Sequence, residues 1–411
     1  MTTTSAGHDP AVVREAIAGG DYSLMRGGAT YRCVAMFLRR VPRRLHPGGL
    51  IAALAFVMCF VPPLLLSWRD GALLAGGNDL PLSRDWFVMA RFVVAMPLLI
   101  LGAELSDRLL RSAIRQFWTG GAIRQALRDP FVDMLSRVAR WRDASCPEAV
   151  CLLLALAPVL LPALTSGMTG TEGVGGATWA HAPDGTLTAA GAWVEGISAP
   201  LFRFVVLLWL WRLLLWTWIL LRSARMPLDL RASHPDGAGG LAFLGLAQCR
   251  FAVLSAAGAV LVCGYALNQM VHAGESVQAL RFLIAGYVAG ATLALLAPLL
   301  LLSPAMARAK RMGLEPYAAL GHAASQAFEA QWLTRSPGPG RDAAPLIDSP
   351  HPSAIADFGG VYAGIQAMTI VPVTRWNILR LVLAALLPFA PIAFFAMPLD
   401  ELAQRIFHIL V

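Results

Sequence analysis

Residues 198–221 read SAPLFRFVVLLWLWRLLLWTWILL, a run with two arginines, no acidic residue and no glycine. A helix rises about 1.5 Å per residue, so roughly 20 such residues cross about 30 Å of hydrocarbon. Six further stretches match it, at 49–68, 86–102, 149–166, 241–267, 282–302 and 378–397, and none of the seven contains Asp or Glu. The pattern predicts an all-α protein, a polytopic membrane helical bundle of about seven transmembrane helices. Composition agrees: 57% of the 411 residues are hydrophobic and 14% charged, against roughly 25% charged in a soluble domain.

The formal charge of +8 does not point to nucleic acid, because the 33 basic residues, all arginine except Lys310, are sorted by loop. Cytoplasmic loops are those that accumulate Arg and Lys. Seven arginines precede the first span, from Arg14 to Arg44, and eight lie between spans two and three, from Arg108 to Arg142. Arg222, Arg225 and Arg231 follow span four, and Arg308, Lys310, Arg311, Arg335, Arg341 and Arg375 follow span six. The alternate loops are nearly bare, with Arg69 and Arg84 in one and none in 167–196 or 268–280. This alternation predicts a cytoplasmic N-terminus in a bacterial inner membrane. A basic cytoplasmic segment, 1–48, then precedes a membrane domain, 49–397, with cytoplasmic inserts at 106–144 and 304–376. An extracytoplasmic amphipathic tail, 398–411, closes the chain. The N-terminus lacks the charged-then-apolar layout of a cleaved signal peptide, so the first span serves as the insertion signal. The six cysteines form no CxxC pair and fall in or beside apolar runs, where they read as small buried hydrophobes.

Three elements are expected on the basic side. In 106–144, Arg108, Arg111 and Arg115 share a helix face, and Phe131, Leu135, Val138 and Trp141 build an apolar stripe after Asp129–Pro130. Such a basic amphipathic helix either lies on anionic lipid headgroups or folds onto the rest of the protein. A helix at 315–333 would start near Pro316 and bury Tyr317, Leu320, Ala324 and Phe328. The Pro- and Gly-rich 336–352 reads as a flexible loop. On the other side, TWAHAPDGTLTAA, 178–190, predicts a small hairpin around Pro183-Asp184-Gly185.

Four arginines interrupt the spans: Arg91, Arg203, Arg212 and Arg250. Arg91 and Arg203 lie near the outer boundary, where they would snorkel to the headgroups beside Asp85 or Glu195. Arg212 sits near the middle of its span, and Trp209 and Trp216 share its face, permitting cation–π contact worth roughly 2 kcal/mol if dry. Its five N–H donors still need acceptors, and with no carboxylate at that depth these would be backbone carbonyls, hydroxyls, water or a bound anion. Arg250 falls at a similar depth if 241–267 crosses as one helix. The two guanidiniums would then line one cavity that favours an anion. If 241–248 is instead interfacial or re-entrant, Arg250 sits at the inner headgroups.

The loop RMPLDLRASHPDGAGGLAFLG, 225–245, holds His234, Asp236, Gly237, Gly239 and Gly240. His234 and Asp236 are weak metal-ligand candidates without a spaced partner motif; the alternative is that Asp236 caps the turn while the glycines let the chain re-enter the bundle. Together with WLWRLLLW and the late segment SAIADFGGVYAGIQAMTIVPVT, 353–374, this loop resembles an uncharacterised family of bacterial multi-span inner-membrane proteins with an HPDxAGGL loop. The similar stretches cover roughly the second half of the chain. The resemblance implies class and location and carries no activity. The family pattern has Asp where this chain has Pro352 or Ser353, which weakens a metal site built there.

Phosphate loops, nucleophile elbows, HExxH and paired-cysteine motifs do not occur. Carboxylates, the usual groups of a proton relay in the bilayer, are missing from the spans. Only His234, Asp236, His322, Glu329 and His351 offer titratable groups that could converge for a membrane-bound metal-dependent enzyme. The expected role is transport or conduction of a small anionic solute; the alternatives are assembly through anionic lipid or a partner, and that enzyme. The sequence names no cofactor and no oligomeric state.

Overall fold

The structure, a computed structural model, describes residues 8–38, 47–74, 80–161, 178–332 and 350–396. Among these, two short helices, α1 (Pro10–Gly19) and α2 (Gly28–Leu38), precede the first apolar helix, α3 (Pro47–Arg69). Next come α4 (Trp86–Thr119), α5 (Arg128–Asp143), α6 (Ser145–Leu160), α7 (Ala189–Ala224), α8 (Phe243–His272) and α9 (Val277–Leu300). The last three are α10 (Ser303–Trp332), α11 (Pro350–Ala367) and α12 (Arg375–Ala393). Six of these, α3, α4, α7, α8, α9 and α12, are long and apolar enough to cross a membrane, and α5 with α6, bent by 44° at Ala144, makes up to a seventh. The protein is therefore an all-helical, polytopic membrane-type bundle. The flexible loop expected at 336–352 and the tail at 398–411 lie outside the described residues, apart from the backbone of the first turn of α11.

Helix lengths decide what sits where. At 34 and 36 residues, α4 and α7 are roughly 50 Å long, well beyond the hydrocarbon thickness. Their excess is covered by protein. On α4, Asp107, Leu110, Ile114 and Phe117 are buried while Arg108 and Arg115 stay exposed. The α5 stripe of Phe131, Leu135 and Val138 is fully buried, with Phe131 5.9 Å from Phe117. Of the two readings of 106–144, folding onto the protein is the one observed. Likewise Trp218 near the end of α7 meets Trp141 edge-on at 4.7 Å.

Within the bundle, α8 is the central helix, with 56% of its apolar window buried against 22% for α9. Small residues permit this. A side chain at Gly264 would run into the Trp86 carbonyl at 2.7 Å, so only glycine lets α8 and α4 touch there. The segment 243–248 packs into the bundle on one side: Gln248 is fully buried, accepts from Trp216 Nε1 at 2.8 Å and donates to the Leu295 carbonyl at 2.6 Å, while Leu246 is exposed.

Loops expected on one side contact each other. Trp179 N–H donates to the Leu80 carbonyl at 2.9 Å, and His272 Nε2 lies 3.0 Å from the Arg84 carbonyl. At the opposite, arginine-rich end, Asp229 N–H donates to Ala122 and Thr369 N–H to Gly237, both at 2.9 Å.

Two expectations change. The hairpin at 178–190 reduces to one antiparallel bridge, His181 to Leu187, closed by Asp184 accepting from Thr186; Thr188 then caps α7. The helix expected to begin near Pro316 is continuous from Ser303, with Pro316 inside it. Its contact side runs through Tyr317, stacked on Phe358 at 6.3 Å, and Gly321, whereas Leu320 is 56% exposed.

Candidate functional site

Arg212 is buried at 5% exposure, but not in lipid. Because α7 overshoots the hydrocarbon, its central arginine lies level with the α5–α6 junction, and α2 folds over it. Arg212 Nη2 donates to the Gly27 carbonyl at 2.9 Å and stands 3.9 Å from Glu148 Oε1 in the first turn of α6. Nη1 reaches the Arg142 carbonyl at 3.4 Å. A carboxylate therefore is present at this depth, contrary to the sequence expectation. Trp209 and Trp216 make no cation–π contact with Arg212 among the described residues; their indole N–H groups donate to the Leu99 carbonyl at 3.1 Å and to Gln248. Arg250 does not join Arg212 either: it lies in a short 3-10 turn, its carbonyl accepting from Ser106 Oγ at 3.1 Å.

The charges around Arg212 form one network that clamps the N-terminal segment. Glu148 Oε2 accepts from Thr30 N–H at 2.8 Å and Thr30 Oγ1 at 3.0 Å. Asp143 holds Arg142 through both carboxylate oxygens and accepts from Gly28 N–H at 3.1 Å. Asp107, 1% exposed in its side chain, pairs with Arg26 at 3.0 Å and Arg111 at 2.8 Å and accepts from Ser23 Oγ. Burial disfavours the Asp143 carboxylate, but Arg142 and the Gly28 N–H outweigh it and hold its pKa below the ordinary value. Gly28, at φ +93°, packs where any side chain would collide with Glu148. Most of these groups are held within the chain, although the buried Arg111 Nε has no hydrogen-bond partner among the described residues.

The HPDGAGG loop is self-contained. Asp236 Oδ1 accepts from Ala238 N–H at 2.9 Å and Gly240 N–H at 3.0 Å, Oδ2 accepts from Ala242 N–H at 3.0 Å, and His234 Nδ1 lies 2.9 Å from Oδ1. Burial raises its pKa, and these three N–H groups with His234 more than reverse that, leaving it lowered. Gly237, Gly239 and Gly240 adopt φ of +66°, +65° and +95°, which only glycine takes without strain. Asp236 is thus the turn cap, and its carboxylate is spent. Among the described residues no group of three His, Cys, Asp or Glu could hold a metal ion; the side chain of His351 lies outside them.

The opposite end of the bundle behaves differently. Asp85, 1% exposed, caps α4 by accepting from Phe87 and Val88 N–H at 3.1 Å, and also takes Trp179 Nε1 at 2.9 Å and Asn268 Nδ2 at 3.0 Å. Among the described residues it makes no ion pair with Arg91. Immediately after this cap the α4 backbone opens into a π-helical stretch, Ala90–Ala95, and α7 has another at Val194–Ser198. Such segments are common at functional sites. Between the two lies a cavity of about 350 Å³ lined by Arg91, Arg203, Glu195, Asp85 and His181, with apolar walls from Val88, Pro158 and Leu187.

Arg91 makes no hydrogen bond or ion pair among the described residues. Its Nε is buried without a partner, and its guanidinium rests 4.3 Å over the Phe87 ring. Arg203 has one long contact, Nη1 to the Ala155 carbonyl at 3.4 Å. The expected pairing with Asp85 or Glu195 is absent at ion-pair distance among the described residues. Sequence reasoning assigned Arg91 and Arg203 to snorkelling; the π-helical bend and the prior engagement of Asp85 are what set them apart, and neither has a signature in local hydropathy. Comparison with protein-family models, curated proteins and solved structures found no match.

Proposed function

We propose that this is a multi-pass protein of the bacterial inner membrane, its arginine-rich end in the cytoplasm, that binds and passes a small anionic solute through the cavity of Arg91 and Arg203. The observation that carries the reading is that Arg91 makes no hydrogen bond or ion pair among the described residues, with its Nε buried and unpartnered. A cation–π contact supplies part of what a guanidinium loses on leaving water, but it leaves five N–H donors wanting oxygens. Asp85 and Glu195 balance the two guanidiniums in charge, but neither lies within ion-pair distance of them among the described residues. An oxyanion between Arg91 and Arg203 would supply two charge-assisted hydrogen-bond sets that the chain does not. The π-helical segments in α4 and α7 supply the backbone freedom a passage step requires. Compared with the sequence expectation, the solute site moves from Arg212 and Arg250 to the other end of the bundle.

The test is anion binding and flux in the full chain. Chloride, phosphate and acetate are added to purified protein while thermal stability is followed, and anion uptake is measured in proteoliposomes. At least one anion stabilises the wild-type protein and is taken up, and Arg91→Gln with Arg203→Gln abolishes both effects at unchanged expression. Equal responses from wild type and double variant would remove the proposal.

A further inference from the structure

A second cavity, of about 510 Å³, lies at the arginine-rich end between the stretch 226–233 and α10. Arg124, Arg231 and Arg308 all line it, and Asp229 is the one carboxylate among its lining residues. Asp229 is shared: Oδ2 lies 3.0 Å from Arg231 Nη2 and Oδ1 lies 3.6 Å from Arg124 Nη2. Arg308 has no ion pair among the described residues, and only its Nε is occupied, by the Pro304 carbonyl of its own helix at 3.2 Å. Three cations against one anion leave an excess of two positive charges.

The neighbouring cavities at this end do not share that excess. The one lined by Arg26, Arg111 and Arg142 has each guanidinium within ion-pair distance of Asp107 or Asp143. The groove beside α2 and α3 sets Arg26 against Glu104 and Asp107. Position matters as much as charge. The α10 wall of the 510 Å³ cavity starts at Ala305, shortly past the end of α9 at Leu300, a 24-residue apolar helix of about the length that crosses hydrocarbon. The facing wall starts at Met226, past the end of α7. Met226, Leu228 and Met312 add apolar lining, and Met312 is 74% exposed. The wall is fixed in place: Asp229 N–H is tied to the Ala122 carbonyl, and Gly313 packs so closely on Ala232 that any side chain would collide.

We infer that this cavity binds a phosphate oxyanion, with the phosphodiester of an anionic phospholipid as its source: the guanidiniums take the phosphate and the apolar lining takes the glycerol and first methylenes. Anionic lipids are recognised in this way by basic pockets at the cytoplasmic ends of spans. The inference is independent of the solute cavity at the other end.

Delipidated full-length protein is titrated with phosphatidylglycerol or phosphatidylcholine in mixed micelles, and separately with inorganic phosphate, following thermal stability and lipid retention by native mass spectrometry. Phosphatidylglycerol binds in preference to phosphatidylcholine. The double variant Arg231→Gln, Arg308→Gln weakens it about thirtyfold, from roughly fivefold per arginine, and Arg91→Gln leaves it unchanged. If the double variant folds poorly, Arg308→Gln alone gives the fivefold step. An inorganic phosphate response that matches phosphatidylglycerol, survives in Arg91→Gln and is lost in the double variant would support the oxyanion site and assign free phosphate as its source. Equal binding of the two lipids together with no response to phosphate, or a double variant that binds like wild type, would overturn the inference.

Discussion

Arg212 and Arg91 look alike in the sequence and end in opposite circumstances. Each interrupts a long apolar helix, and each has aromatic neighbours one turn away. Arg212 is reached by three separate pieces of chain, which bring two carbonyls and Glu148 to it. Arg91 finds no hydrogen-bonding oxygen among the described residues, and the neighbouring acid, Asp85, is held by two backbone N–H groups, Trp179 and Asn268. A charged residue in a membrane helix is therefore structural or functional according to how much foldable chain surrounds that end of the bundle. The arginine-rich end has α1, α2, α4 and α5 to wrap around it; the other end has short loops.

The largest expected effect probes the satisfied side. Arg212→Leu leaves the buried Glu148 without its cation, and removing one partner of a buried pair costs about 3–5 kcal/mol. Denaturant unfolding in detergent should show a loss of that size; a cost under about 1 kcal/mol would mean that the network does not hold the bundle together. A smaller effect tests the clamp on the N-terminal segment. Gly28→Ala forces a side chain into Glu148 at a left-handed backbone angle, a change expected to cost about 1–3 kcal/mol and to expose residues near Arg26 to protease. Acid should act in the same direction. The folded Asp143 carboxyl lies below its ordinary pKa of 3.8, so its stabilisation is complete above about pH 4 and is lost as the pH falls through the lowered value. Protease sensitivity that rises only on alkalinisation would contradict this. The smallest effect completes the contrast: Arg91→Leu should leave stability unchanged or slightly raised, within about 1 kcal/mol, since it removes a buried charge whose contacts to this chain are chiefly aromatic. A loss as large as that of Arg212→Leu would show that the two arginines are equivalent after all.

The number of long apolar helices and the pairing of loops by side were legible in the sequence, because lipid imposes run length and arginine marks loops. The depth of Arg212 was not. Hydropathy scores LLLWTWILL, 213–221, as lipid-facing, yet Leu215, Trp216, Ile219 and Leu220 are buried in protein, and apolar packing reads the same in either solvent. Asp236 was legible as a turn cap, since Pro-Asp-Gly followed by paired glycines is local chemistry. The Arg91 cavity was not, because it depends on Asn268 and Trp179 claiming Asp85 across more than 90 residues of chain.

Gly27 and Arg212 are 185 positions apart, and this spacing sets an order for biogenesis. The carbonyl exists long before its donor leaves the ribosome, so the N-terminal segment can settle on Asp107, Asp143 and Glu148 first and take the Arg212 guanidinium last. A shortened chain that kept every span but lost residues 8–38 would leave Arg212 with only Glu148 and the Arg142 carbonyl, so the last contact made in this order is the one that ties α7 to the start of the chain.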